Sequence, residues 1–152
     1  MANIHSFAAD YSEARDKFLA AARIANAATT RYENPTKGPK GGSLSTDVAR
    51  VGPDDASKIV VTISSTHGAE GYCGSGVQVD WLATIGAGGL PKDTAALFIH
   101  AINPYGFAWT RRVTEEGNDL NRNYVDHFNP YPANNGYADI HDWLIPKDFG
   151  PN

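Results

Sequence analysis

Two apolar runs constrain the fold more tightly than any other feature of the chain. They are "SKIVVTISS" (57–65) and "TAALFIHAIN" (94–103). A continuous β-branched and apolar run bounded by turn residues suits an interior strand covered on both faces. Between them, "SGVQVDWLATIGAGG" (75–89) reads as a helix, with Ser75 as its cap and Gly86 to Gly89 as its stop. Strand, helix, strand in that order predicts a right-handed βαβ unit, and so a parallel pair in an α/β fold.

The flanks are less constrained. Residues 9–31 are alanine-rich, with Tyr11, Ala14, Phe18, Ala21 or Ala22 and Ala25 at helical spacing, which predicts an amphipathic helix. "YENPTKGPKGGS" (32–43) reads as a Pro/Gly/Lys loop, and "LSTDVARVG" (44–52) as a short strand. Residues 103–131 read as a polar loop, and "NNGYADIHDWLIP" (134–146) as a short closing helix. There is no internal repeat.

Composition narrows the function classes. The length of 152 residues is that of one domain, and it is enough to bury a real core. A net charge of −4 argues against nucleic acid as the main partner. No run of 18 apolar residues exists to span a membrane, and the first residues lack a secretory pattern. Cys73 is the single cysteine, so no intrachain disulfide forms. These features fit a reducing, cytoplasmic setting.

In open α/β sheets, ligands bind beyond the carboxyl ends of the strands. Two segments lie there: "THGAEG" (66–71) and "NPYGFAWTRRVTEEGNDLNRNY" (103–124). His67 and Glu70, three apart in a glycine-rich turn, are both good zinc ligands. The same spacing also fits a hydrogen-bonded loop histidine beside a solvated glutamate. The second segment joins the amide of Asn121 to the guanidinium of Arg122, with Arg111 and Arg112 upstream. A guanidinium fork matches a carboxylate bidentately. Ordinary surface ion pairs are the alternative for these charges, and such pairs contribute only ~0–1 kcal/mol.

Taken together, "HGAEG", "NPYGFAWTRR" and "DLNRNY" resemble the zinc carboxypeptidase superfamily, which includes the aspartoacylase and succinylglutamate desuccinylase branch. The order is closest to a carboxypeptidase-like branch with "THGxEG…GSG…NPYGFA…RR…DLNRN", and the likeness runs from about Phe7 to Trp143. The resemblance implies a three-layer α/β fold with a mixed, largely parallel sheet and flanking helices. It implies one zinc ion held by His67 and Glu70, with Arg112 (less so Arg111) polarising the scissile carbonyl. Asn121 and Arg122 would grip the substrate carboxylate, and Asp119 would orient that clamp. Asn103 and Pro104 would shape the loop.

The family pattern also needs a third zinc ligand, a histidine well beyond "NRN", and a late glutamate as general base. His127 and His141 come too early for that ligand, and Cys73 fits a small buried residue at a helix start better than a ligand. The resemblance therefore treats residues 1–152 as a single, incomplete N-terminal portion holding zinc weakly. The expected function is zinc-dependent hydrolysis of an amide next to a free carboxylate, in a small peptide or an N-acyl amino acid. The alternative is a non-catalytic domain that binds an anion or weakly a metal, and self-associates through an exposed sheet edge.

Overall fold

The computed structural model describes residues 3–84, 89–124, 126, 129 and 135–144. Helix α1 (Tyr11–Ile24) opens the fold and is followed by strands β1 (Ala28–Lys37), β2 (Ser43–Val51) and β3 (Lys58–Ile63). A 3-10 turn, Gly68–Glu70, the second after Ile4–Ser6, leads into helix α2 (Gly71–Thr84), then strand β4 (Thr94–His100). The short helix α3 (Pro104–Ala108) and the helix α4 (Asn135–Leu144) complete it.

The four strands form one mixed sheet in the order β1-β2-β4-β3. As expected, β3 and β4 run parallel, with α2 as their crossover. The parallel share is smaller than expected, because β1–β2 and β2–β4 are both antiparallel. Helices α1 and α2 pack on one face. Phe18, Ala21 and Ala22 of α1 and Val79 and Leu82 of α2 close over Ala49, Val51, Ala96 and Phe98 of the sheet.

Helix α1 starts at Asp10, whose side chain accepts from the Glu13 N–H at 3.0 Å, while Glu13 accepts from the Ala9 N–H. It stops at Ile24 rather than near residue 31. Asn26 adopts φ 53°, and the N–H groups of Asn26 and Ala27 return to the carbonyls of Arg23 and Ala22. This paired return bond ends a helix at a left-handed residue, a conformation asparagine tolerates.

The expected loop 32–43 is largely strand. β1 pairs with β2 from Ala28↔Arg50 to Asn34↔Leu44, with a bulge between Asn34 and Lys37. Pro35 sits at that bulge on the sheet's outer edge, where a missing N–H costs no ladder bond. Because β1 is exposed along most of its length, it carries no apolar alternation to reveal it.

Strand β3 is paired along one side among the described residues. Its described partner is β4, and Ile59, Val60, Val61 and Ile63 stay 44–56% exposed. Its residues Ile59, Val61 and Ile63 share a face with Ala95, Leu97 and Ile99 through the parallel register. That face lies opposite the helices.

Helix α2 begins at Gly71, four residues before the expected cap. Ser75 is inside the helix, buried, and its hydroxyl meets His100 Nε2 at 2.9 Å. The expected glycine stop falls largely on residues 85–88, outside the described residues. No helix among the described residues is long and apolar enough to cross a membrane.

The glycines of "THGAEG" and its helix work by close approach rather than by positive φ. A Cβ on Gly68 would lie 1.9 Å from the Gly106 carbonyl carbon and 2.3 Å from the Arg111 oxygen. One on Gly71 would meet the Phe107 ring at 2.7 Å, and one on Gly74 would meet Ser64 at 2.9 Å. Gly68→Ala is therefore expected to destabilise the fold by about 2–3 kcal/mol, since backbone rather than a side chain must yield. Gly42→Ala, with open space around it, should stay near wild type. Urea midpoints of the two variants check this, and equal midpoints would refute the close-packing role.

His100 is fully buried, stacked on Phe18 at 4.4 Å and lying near the Arg15–Asp47 ion pair. Burial lowers its pKa to about 4, with Asp47 opposing and Arg15 assisting. The unfolded imidazole takes up a proton near pH 6.5, which the folded one resists. The contribution of neutral His100 to stability is thus complete above about pH 6.5 and is lost as pH falls towards about 4, on the order of 3 kcal/mol in all. Urea midpoints across this window should fall in the wild type and much less in His100→Gln. An unchanged slope in the variant would refute the assignment.

Candidate active site

Strands β3 and β4 end side by side, and the loops that leave them are sewn together. The N–H groups of Ile102 and Asn103 donate to the carbonyls of Ser64 and Ser65 at 3.0 and 3.2 Å. The Ala101 N–H donates to Ser64 Oγ, and Ser65 Oγ donates to the Asn103 carbonyl. Ser65 and Ala101 both take left-handed backbone, φ 63° and 56°. These kinks turn the two loops away from the sheet together.

On the first loop, His67 precedes the 3-10 turn and is 8% exposed. On the second, Asn103 accepts from the Gly106 N–H at 2.8 Å and starts α3, as its loop-shaping role requires. The chain then turns at Thr110, φ 52°, where the Arg111 N–H donates to the Gly106 carbonyl. The polar segment after it brings Asp119 back to His67.

Asp119 is the hub of the cluster. His67 Nε2 is 3.0 Å from Asp119 Oδ1, and Arg112 Nε donates to Asp119 Oδ2 at 2.8 Å. The other ring nitrogen, Nδ1, faces Glu70 Oε1 at 2.9 Å. The Asn121 N–H also donates to Asp119 Oδ1. Partial burial of Asp119 works against its charge, but the bonds from Arg112, His67 and the Asn121 N–H prevail and hold its pKa at about 2. Glu70 and then Asp119 raise the pKa of His67, against a smaller effect of burial and of Arg112.

His67, Glu70 and Arg112 are therefore joined through one network at the carboxyl edge of the parallel pair. Asn121 reaches it by its main-chain N–H. Arg122 stands next to it: its N–H donates to the Asp119 carbonyl, and its exposed guanidinium to the Asn121 carbonyl. Arg111 contributes its main chain, packed on Gly68, and its side chain is exposed. Asp119 is the residue whose full role exceeded the sequence reading. It anchors the histidine as well as the clamp, and its place two residues before Asn121 was the only available signal.

The donor set fits a zinc ion in part. Zinc bonds of about 2.0–2.2 Å place neighbouring donors roughly 3–3.5 Å apart, close to the Nδ1–Glu70 separation. The Glu70 side chain is 66% exposed and free to move outwards by the remainder. Among the described residues, no group of three His, Cys, Asp or Glu is placed to hold a metal. Cys73 is exposed rather than buried, contrary to expectation, because it sits on the outer side of α2. His141 bonds the Tyr137 hydroxyl within α4, and His127 lies outside the described residues.

No curated protein matches the chain. Among solved structures, it is similar to the glutaminyl cyclase of Fimbriiglobus ruber, at 13% identity and TM-score 0.42, over 58% of this chain and 36% of that one. It is also similar to a structure of Porphyromonas gingivalis glutaminyl cyclase, at 18% identity and TM-score 0.37, over 60% of this chain and 37% of that one. The chain thus spans well under half the length of these proteins, and likeness of this degree says nothing of activity. The family model described as "Protein of unknown function (DUF2817)" matches residues 7–152, nearly the whole chain, and the chain belongs to that family.

Proposed function

We propose that this chain carries the metal-binding and carboxylate-binding part of a zinc-dependent hydrolase acting on an amide next to a free carboxylate. The observation that carries the reading is the orientation of His67. One ring nitrogen is tied to the Asp119 carboxylate, and the other faces a second carboxylate, Glu70. A carboxylate behind a histidine fixes its tautomer and raises its basicity, the arrangement that metal-ligating histidines use. The likeness of "HGAEG", "NPYGFAWTRR" and "DLNRNY" to zinc carboxypeptidases points the same way.

His67 and Glu70 are the two ligands in this reading. When bound there, zinc supplies Lewis-acid polarisation of a carbonyl and activation of a water molecule. Asp119 keeps the imidazole in place. Arg112, held at Nε by Asp119 and half-exposed, is positioned to meet negative charge developing on a substrate oxygen. Asn121 and the guanidinium of Arg122, with Arg111 nearby, take the substrate's carboxylate. The substrate class is a small peptide with a free carboxyl end or an N-acyl amino acid.

A second reading is supported by the missing third donor among the described residues. It is a non-catalytic domain that binds an anion or holds a metal weakly. The two diverge on coupling, since neither gives turnover by residues 1–152 alone: zinc that tightens binding of an N-acetyl amino acid, an effect lost in His67→Ala, supports the first, and anion and zinc binding that do not influence each other support the second.

Equilibrium dialysis against zinc is expected to give at most one weakly held ion per chain, lost in His67→Ala. Asp119→Asn should weaken it about 10–100-fold by freeing the imidazole. Zinc affinity unchanged in His67→Ala would overturn the metal assignment.

The two arginines should separate in ground-state binding. Arg122→Ala is expected to weaken an N-acetyl amino acid by roughly 1.5–3 kcal/mol, about ten- to a hundredfold, through loss of a charge-assisted bond. Arg112→Ala should leave that binding nearly unchanged, because its contact strengthens only as charge develops. Ligand titration followed by NMR reads both, and the reverse pattern would exchange their roles.

A further inference from the structure

A cavity of about 240 Å³ opens between the start of α1, the turn that joins β1 to β2, and the end of α3. It is distinct from the cluster at His67, although α3 borders both: Gly106 packs on Gly68, and Ala108 lines the cavity. The cavity walls are held by bonds of their own. Asp10 accepts from the Glu13 N–H, and the β1–β2 turn is closed by bonds among Gly38, Gly41 and Gly42. Arg15 is clamped to Asp47 through Nε at 2.6 Å and Nη2 at 3.0 Å. Its remaining nitrogen, Nη1, makes no hydrogen bond among the described residues. Pro39, Leu44 and Ala108 add an apolar wall.

We propose that this cavity is a binding site for a single α-amino acid with an apolar side chain, held as its zwitterion. Size sets the first limit. Pockets for drug-sized ligands run to about 300–1,000 Å³, so this one suits a smaller molecule. Charge sets the second. Lys40 Nζ lies 3.1 Å from Asp10 Oδ2, and Arg15 is paired with Asp47, so the cations and carboxylates balance and an ion of one sign gains little. A molecule carrying both signs matches the set. Its carboxylate meets Nη1 of Arg15 and a second N–H of Lys40, and its ammonium meets Asp10. The Lys40–Asp10 pair is exposed, and such pairs are weak, so Lys40 re-aims at little cost. The ligand's apolar side chain leaves water for the wall of Pro39, Leu44 and Ala108. Neither the metal reading nor the carboxylate clamp enters this assignment.

The probe is L-leucine, titrated into isotope-labelled protein and followed by NMR. Saturable shifts are expected at the amides of Gly38, Gly42, Leu44 and Ala108, and they should persist in Arg122→Ala. N-acetyl-leucine lacks the ammonium and leucinamide the carboxylate, so each should bind there about tenfold or more weakly, the loss of a charge-assisted bond. Asp10→Asn keeps the helix cap, because asparagine caps as well as aspartate, yet it should weaken leucine by a similar factor, as should Lys40→Gln. Ala108→Leu, which fills the cavity, should abolish the shifts without lowering the thermal midpoint. No saturable shift, shifts confined to Asp119–Arg122, equal affinity for the three ligands, or an affinity unchanged in both Asp10→Asn and Lys40→Gln would each overturn the proposal.

Discussion

The structure depends on the seam between the carboxyl ends of β3 and β4. Four hydrogen bonds run from Ala101, Ile102, Asn103 and Ser65 across a span of only a few residues. They hold two non-glycine residues, Ser65 and Ala101, in left-handed backbone, which costs roughly 1–2 kcal/mol at each position. Those costs persist because the seam over-determines the geometry. Gly68 then lies directly on the Gly106 carbonyl, with no side chain between the two loops. Across the loops joined by that contact, Asp119 stands 3.0 Å from His67. The distance between the loops, rather than the flexibility of either, is what the glycines secure.

Two histidines of the sheet's carboxyl side show how surroundings divide one residue type into two roles. His100 is enclosed by Phe18, Phe107 and the Ser75 hydroxyl, and burial keeps it neutral. Its Nδ1 has no partner among the described residues, the mark of a residue kept for packing and one hydrogen bond. His67 has almost as little exposure, yet both its nitrogens face carboxylates, which favour its charged form. A proton or a metal ion satisfies that demand, whereas at His100 burial outweighs the pull of the one nearby carboxylate, Asp47. Arg112 matters here in a second way. By pairing with Asp119 it keeps that carboxylate ionised, and an ionised Asp119 is what keeps the His67 ring aligned.

The βαβ core was legible because its signals are local and redundant. The apolar runs of β3 and β4, the small-residue helix between them and the glycine-rich turn all pointed to one arrangement. The ends of elements were less legible. Nothing in the Ala-rich stretch before it announces that Asn26 ends α1, because a left-handed stop is written in backbone hydrogen bonds. β1 was hidden because exposed edge strands need no apolar alternation, and the features that protect its edge, Pro35 and its charges, are also those of a loop. At the candidate site, His67, Glu70, Arg112 and Asn121 were legible as residue types in a motif. The hub role of Asp119 was not, since it depends on a contact between residues 52 positions apart.

The apolar run of β3 carries more information than the strand's place in the sheet first suggests. A strand apolar on only one face needs only one covered side, but Val60 looks towards the helices and Ile59, Val61 and Ile63 look away, and all four remain exposed. Such a sequence is matched to neighbours on its edge and its open face as well as on its helical face. The same strand delivers His67 four residues beyond Ile63, and there too the donor set is short of a member among the described residues. Among the described residues, the open side of the β3 ladder and the incomplete donor set thus belong to one continuous segment, 58–70. The β3 ladder runs directly into the Ser65 kink, two residues before the imidazole of His67. In this fold the stability of an edge and the geometry of a site are set by the same few backbone atoms.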